Sequence, residues 1–496
     1  MLRLPPRPRW TTIRNLVCAS TALFILVHLL LGMPVLSSRL PKYSGKFDVG
    51  ILDVELPFEQ QRNISDAVIK ETGETAFRLE TVLFTLYYPA VQHAVTQKPH
   101  RLWVEKPISS TAEGYARFAK VNNVATRNLF KMGLWLLASS TTIPAAVDAP
   151  LHGTANTYYE AEQPLDDYGL PRFPLLVLSH GVASSRNSYS QYCGEMAARG
   201  YIVASIEHRD GSGPGSLILS NNTTKTRFHF NQDSLEPPLD IAAFKAAQLS
   251  MRQAEVEETV RILKRINHGE GRAVHESNAR AEGKYLAQWK ERIMWDRIVI
   301  GGHSFGATLA LQTLKEAPSD DLPFVGAICF DPGKHSGPLQ EDVNVPMIIV
   351  HSQSWSASHS LFHGRPHFEV VKDIARKVID DKKKMAWFVT SKGTSHASVT
   401  DAPLVEPFLL SLSTGSTISA KQGVLQYVQI SQQLMNYLDT GHRQSILKEE
   451  ITHATYDDAN PRTAPPKIEK YWQIHMSPSA ACPFAGYCGL DDTDDG

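Results

Sequence analysis

Hydrophobic and polar positions change pattern four times along the chain. Residues 15–38 form an uncharged stretch centred on "LFILVHLLLG", with Arg3, Arg7, Arg9 and Arg14 ahead of it and His28 as its one ionisable group. At about 1.5 Å per residue this is long enough to cross a bilayer. It predicts a signal-anchor membrane helix over 16–36, behind a basic cytosolic N-terminus over 1–15. A cleaved signal peptide is the alternative, although no clear A-x-A site is present.

Beyond this stretch "FDVGILDVELP" and "FRLETVLFTLYYPA" alternate with period two, which predicts antiparallel strands opening a sheet. From 98 to 151 the apolar residues, Trp103, Phe118, Leu129, Phe130, Met132 and Trp135 among them, take helix-like surroundings and predict helices packed on that sheet. The alternative for "LFKMGLWLL" is an apolar lip around a lipid-binding mouth.

From Phe173 onward the pattern becomes a series of short runs apolar on both faces: "FPLLVLSHG", "YIVASIEHRD", "RIVIGGHSFG", "FVGAICFDPG", "VPMIIVHSQ" and "MAWFVTSKGTSH". Such runs belong to strands buried in a parallel sheet. Alternating with helical stretches, they predict an α/β fold, a mostly parallel doubly wound sheet with helical insertions, over 45–440. Between the second and third runs "GSGPGS" and "NNTTKT" read as surface loop, and 237–269 as at least one long amphipathic helix with Pro near its start and Gly at its end. After 441 the chain turns polar and closes on "LDDTDDG", which predicts a solvated C-terminal extension over 441–496.

Composition narrows the function classes. Lysine and arginine (50) balance aspartate and glutamate (51), and no basic stripe is interleaved with aromatics, so a nucleic-acid surface is not expected. The five cysteines, Cys18, Cys193, Cys329, Cys482 and Cys488, show no C-x-x-C pair and no histidine at zinc spacing, so neither is a structural metal. Cys482 and Cys488 either close a small disulfide loop in an oxidising compartment or stay as free thiols. Sequons at Asn63, Asn221 and Asn222 suit a lumenal or extracellular placement of everything after the anchor.

The chemistry centres on Gly302-His303-Ser304-Phe305-Gly306, a G-x-S-x-G sequence with the strand-like "RIVIG" before it and the helix-like "ATLALQTLKE" after it. A strand that turns directly into a helix exposes the serine hydroxyl and leaves no room beside it for side chains, hence the glycines. This makes Ser304 the candidate nucleophile. In this arrangement an acid and then a histidine follow in chain order. Asp331 ends the next buried strand, where the orienting carboxylate belongs, whereas Asp320 and Asp321 lie in the loop at the opposite edge. His396 follows the last core strand through "KGT" and is the candidate base; His351 comes one strand too early, and His335, His359, His363 and His367 fall in loop-like or cap-like sequence. The oxyanion donors are expected to be the backbone N–H groups of Phe305 and Val182, with Gly181 allowing close approach and His180 shaping the loop.

Together "SHGVASSRNSYS", "VASIEHRDGSG", "GGHSFGAT", "FDPG", "GTSHASVTD", "DVGILDVELP", "YYPA" and "TTIPA" resemble the platelet-activating factor acetylhydrolase family in its secreted and type II form, within the α/β-hydrolase fold, over about 49–437. The resemblance implies Ser304, Asp331 and His396 as triad, Val182 and Phe305 as oxyanion hole, and no cofactor or metal. It implies calcium-independent hydrolysis of a short or oxidised sn-2 acyl chain from a phospholipid at a membrane or lipoprotein-like surface; the N-terminal stretch, which lies outside the resemblance, predicts a single-pass protein with its catalytic domain lumenal or extracellular or, alternatively, a secreted one. Two departures bear on the substrate: "PGKHSG" after Asp331 lacks the bulky apolar residues expected there, and the insertion over about 211–238 is long. A general carboxylesterase would use the same residues, and a binding module that has lost its chemistry is the non-enzyme alternative.

Overall fold

The computed structural model describes residues 10–30, 39–94, 96–154, 169–220, 223–407 and 414–478. Ten strands form one sheet: β1 (Asp48–Asn63), β2 (Arg78–Ala90), β3 (Ala146–Val147), β4 (Phe173–Ser179), β5 (Ile202–Glu207), β6 (Ile293–His303), β7 (Phe324–Phe330), β8 (Met347–Ser352), β9 (Ala386–Ser391) and β10 (Trp472–Met476). Their spatial order is β10-β9-β8-β7-β6-β4-β5-β2-β1-β3. The block from β5 to β9 is parallel throughout, and β1, β2 and β10 supply antiparallel pairs toward the two edges.

The continuous apolar runs have a direct explanation. Leu175 and Val177 of β4, Ile298 and Ile300 of β6, Ala327 and Cys329 of β7, and Met347 and Ile349 of β8 enter one core. Leu176 and Leu178, Val299, Ile328 and Phe330, and Ile348 and Val350 enter the core on the other face. Successive side chains point to opposite faces, so a strand covered on both sides must be apolar at every position. Helices α5 (Ile241–Arg265), α6 (Phe305–Thr313) and α8 (His367–Asp380) cover the first face; α4 (Ser190–Ala197) and α9 (Ala420–Thr440) cover the second. The long helix expected in the insertion is α5, capped by the Asp240 side chain, which accepts from Ala243 N–H at 2.7 Å. Ahead of it the expected surface loop is a β-hairpin instead, Gly215–Ser220 pairing antiparallel with Thr223–Phe228.

The opening strands pair antiparallel as expected, and Asp53 and Glu55, polar members of the β1 alternation, are buried. Asp53 pairs with Arg101 and with Arg186 at 3.0 Å, and Glu55 with Arg209 and Arg280, both at 2.6 Å. Paired in this way, buried carboxylates are tolerated in a core. The polar segment after 441 returns to the sheet, where β10 pairs with β9 and buries Trp472 and Ile474. Residues 479–496, with Cys482 and Cys488, lie outside the described residues, as do Asn221 and Asn222.

The membrane-spanning helix expected over 16–36 finds no support among the described residues, and its part over 31–36 lies outside them. Helix α1 runs from Trp10 to Leu30 and carries Arg14, Asn15, Ser20, Thr21 and His28. Among the described residues no helix is long and apolar enough to cross a membrane. Residues 31–38 lie outside the described residues.

Candidate active site

Strand β6 ends at His303 and α6 begins at Phe305, so Ser304 alone makes the turn, at φ 56° and ψ −119°. That backbone is strained for a residue with a Cβ. It is held by the Ser304 N–H, which donates to Phe330 O at 2.9 Å. The flanking glycines answer a packing demand: a Cβ on Gly302 would lie 2.1 Å from Gly306 O, and one on Gly306 2.1 Å from Ser179 O.

Asp331 follows β7 directly, in the left-handed region at φ 47°, with its N–H on Val350 O at 2.9 Å. The carboxylate is buried and fully engaged. Oδ1 accepts from the Ser352 N–H at 2.6 Å; Oδ2 accepts from Ser352 Oγ at 2.7 Å and from His396 Nδ1 at 2.8 Å. Because an ionised carboxylate only accepts, the His396 proton sits on Nδ1 and Nε2 keeps its lone pair. The His396 backbone N–H donates to Ser354 Oγ at 2.9 Å, tying the loop after β9 to the loop after β8.

The imidazole is also stacked. The Trp355 ring lies 4.0 Å from it at an interplanar angle of 11°. Trp355 is itself fixed through Nε1–H to Pro332 O at 3.1 Å, and the Lys334 ammonium lies 4.5 Å from its ring centroid. Lys334 Nζ donates to Trp355 O at 2.8 Å and to Ser358 O at 2.7 Å. Burial pushes Lys334 down to about 8. The aromatic surface absent after Asp331 in sequence thus comes from α7 (Gln353–Ala357), one strand further on.

At the expected oxyanion position Gly181 brings the loop after β4 against the elbow; a Cβ there would stand 3.2 Å from Ser304 Cβ. Its N–H donates to the Tyr189 hydroxyl at 3.1 Å, which in turn bonds His303 Nδ1 at 2.8 Å. Among the described residues neither the Val182 nor the Phe305 N–H has a protein acceptor. His303, Asp331 and His396 each bring one donor atom to within 4.8 Å of the others, a spacing a metal ion could also use. Here Nδ1 of His396 bonds Asp331 and Nδ1 of His303 bonds the Tyr189 hydroxyl, as two separate pairs.

The histidines set aside on sequence are elsewhere. His351 of β8 and His367, the first residue of α8, are buried with their rings stacked at 5.6 Å, and His335, His359 and His363 are exposed, as are Asp320 and Asp321. Sequence reasoning missed Ser352, Ser354 and Trp355; the one available signal was "SQSW" at a strand end between acid and base. It also missed Asp401 in "GTSHASVTD". This buried carboxylate accepts from Ser190 N–H, Ser190 Oγ and Gln191 N–H at the start of α4 and from Trp103 Nε1, anchoring the loop that carries His396. Burial pushes it up to about 7.

Sheet order, the serine at a strand-to-helix turn and the acid and histidine after later strands define an α/β-hydrolase fold. A ferulic acid esterase from Streptomyces cinnamoneus superposes with a TM-score of 0.51 over 83% of this chain and 96% of its own, at 16% identity. More narrowly, the family model for platelet-activating factor acetylhydrolase, isoform II, matches residues 35–440, and the chain belongs to that family. It is similar to platelet-activating factor acetylhydrolases of Canis lupus familiaris (26% identical, covering 58% of this chain and 54% of the relative), Gallus gallus (24%, 67% and 71%) and Bos taurus (25%, 73% and 68%). The match thus spans about half the length of the dog relative.

Proposed function

We propose that the protein is a serine esterase that hydrolyses the short or oxidised sn-2 acyl ester of glycerophospholipids. The observation that carries this reading is the strained Ser304 between β6 and α6, with the 2.8 Å Asp331–His396 bond at the neighbouring strand ends, in a chain of this family. His396 Nε2 takes the proton of Ser304 Oγ as the oxygen attacks the acyl carbonyl, and Asp331 stabilises the imidazolium that forms. The tetrahedral oxyanion is met by the N–H groups of Val182 and Phe305, at the positive end of α6. Collapse expels the lysophospholipid alkoxide, which His396 protonates. Water then attacks acyl-Ser304 with His396 again as base, releasing the carboxylate.

Support for a lipid surface as the place of work comes from α2 (Ile108–Phe118) and α3 (Val124–Ala138). Of the side chains of α3 only Ala138 is buried, while Phe118, Val121, Val124, Leu129 and Met132 are exposed. This apolar ridge adjoins the oxyanion loop, since Tyr115 OH reaches Ala183 O at 3.4 Å. Of the two readings of "LFKMGLWLL", the lip explains that exposure.

The test is hydrolysis of phosphatidylcholines differing only in sn-2 chain, acetyl to palmitoyl, with chelator present and Ser304→Ala as control. A steep fall with chain length, absent in the variant, supports the reading. Turnover of simple esters without phospholipid makes the protein a general carboxylesterase, and no Ser304-dependent turnover makes it a binding module.

A further inference from the structure

Arg252 of α5 is fully buried, and its guanidinium bonds to none of Ser304, Asp331 and His396. Its donors go instead to the end of β4, to the loop that carries Val182 and to the loop after β5. Nη1 donates to His180 O at 2.7 Å and Ser179 Oγ at 3.4 Å, Nη2 to Ser212 Oγ at 2.6 Å, and Nε to Asp210 Oδ2 at 2.7 Å. Ser212 O in turn accepts the Ala183 N–H at 2.8 Å. The peptide units before and after the one that carries the Val182 N–H are therefore both tied to a single side chain.

The unit between them is fixed through His180. Its Nδ1 bonds Gly181 O at 2.8 Å, and its Nε2 accepts the His208 N–H at 3.0 Å, which leaves the proton on Nδ1. Burial and the adjacent Arg252 hold His180 down at about 3, so it stays neutral. Gly181 O and Val182 N belong to one rigid plane, and holding the oxygen sets the direction of the N–H. On the other side, Arg252 lies over the Phe305 ring, 4.4 Å from its centroid.

We infer that Arg252 is a positioning residue that sets the separation and aim of the two oxyanion donors, holding Val182 through His180 and Ser212 and holding Phe305 through its ring. This rests on the serine-esterase reading above. Oxyanion stabilisation depends on donors already placed about 2.7–3.1 Å from where charge develops, so a small shift weakens the transition state more than the bound substrate. Lysine would keep a charge opposite Asp210 but lacks the planar fork that serves several acceptors at once.

The experiment compares wild type, Arg252→Lys and Ser212→Ala, each normalised to active sites by fluorophosphonate titration, on 1-alkyl-2-acetylglycerophosphocholine. It measures kcat, KM and inhibition by a trifluoromethyl ketone, whose serine adduct bears the oxyanion. Arg252→Lys is expected to lower kcat about 100-fold while KM stays within about twofold. The ketone inhibition constant is expected to rise by the factor lost from kcat/KM, and Ser212→Ala to do the same to a smaller degree. Unchanged kcat per titrated site, or unchanged ketone affinity despite slower turnover, overturns the positioning role while leaving the esterase reading intact. Absence of Ser304-dependent turnover in wild type overturns both. If Arg252→Lys does not fold, the Ser212→Ala comparison decides.

Discussion

The Trp355 ring is stacked on the His396 imidazole at 4.0 Å, nearly parallel, and Trp355 is tied to the acid loop through its indole N–H on Pro332 O. In the proposed mechanism a base on a loop needs its ring plane fixed as well as its tautomer; the stack would supply the first and Asp331 the second. Trp355→Ala is expected to lower kcat by about 10- to 100-fold with the fold retained, and Trp355→Phe to recover most of that. Steady-state kinetics on an acetyl ester checks it; equal activity of the alanine variant would leave the stack without a catalytic role.

Asp331→Asn keeps the shape but reverses what the group can offer His396, because an amide nitrogen donates where the carboxylate accepted. The expected loss is about 10⁴-fold in kcat, the scale known for this change in a serine triad. Ser352→Ala removes one of the three donors converging on the carboxylate and should fall between wild type and Asp331→Asn.

Acid stability follows from histidines buried in their neutral form. Desolvation holds His180, His367 and His475 each at about 3, against an ordinary value near 6.5. Below about pH 6.5 the unfolded chain takes up protons at these sites and the folded chain does not. Their contribution is therefore fully present above pH 6.5 and is lost as pH falls toward 3. Melting temperature measured across that window should decline progressively. His367→Phe, which removes one of these buried rings, should flatten the decline; an unchanged slope would show that other groups govern it.

Deletion of residues 451–496 tests whether the C-terminal strand belongs to the hydrolase unit. It removes β10 with buried Trp472 and Ile474 and leaves the edge of β9 unpaired. Burial of two such side chains is worth roughly 5 kcal/mol or more, a large part of the marginal stability of a folded chain. The truncated protein should be insoluble or melt far below the full chain by calorimetry.

The elbow was legible because its cause is local. Gly302 and Gly306 are demanded by contacts within a few residues or with the adjacent strand, and the strand and helix flanking Ser304 follow from nearest-neighbour pattern. Asp331 and His396 were legible by position, since each follows a buried apolar run in the required order. Trp355 was not, because nothing in "SQSW" tells which way a five-residue helix after β8 will turn its indole.

By itself the sequence determined the sheet, its doubly wound covering and the identities of nucleophile, acid and base candidates, since these depend on side-chain periodicity and chain order. Tertiary structure alone decided the rest. It turned Asp53 and Glu55 into buried partners of arginines far along the chain, and it brought β10 back from a polar tail to pair with β9. It also gathered Arg252, His180 and Phe305 around one backbone loop. The physical reason is common to all three. A charged or polar side chain is compatible with solvent or with a buried partner, and only the folded arrangement of distant segments determines which of the two it meets.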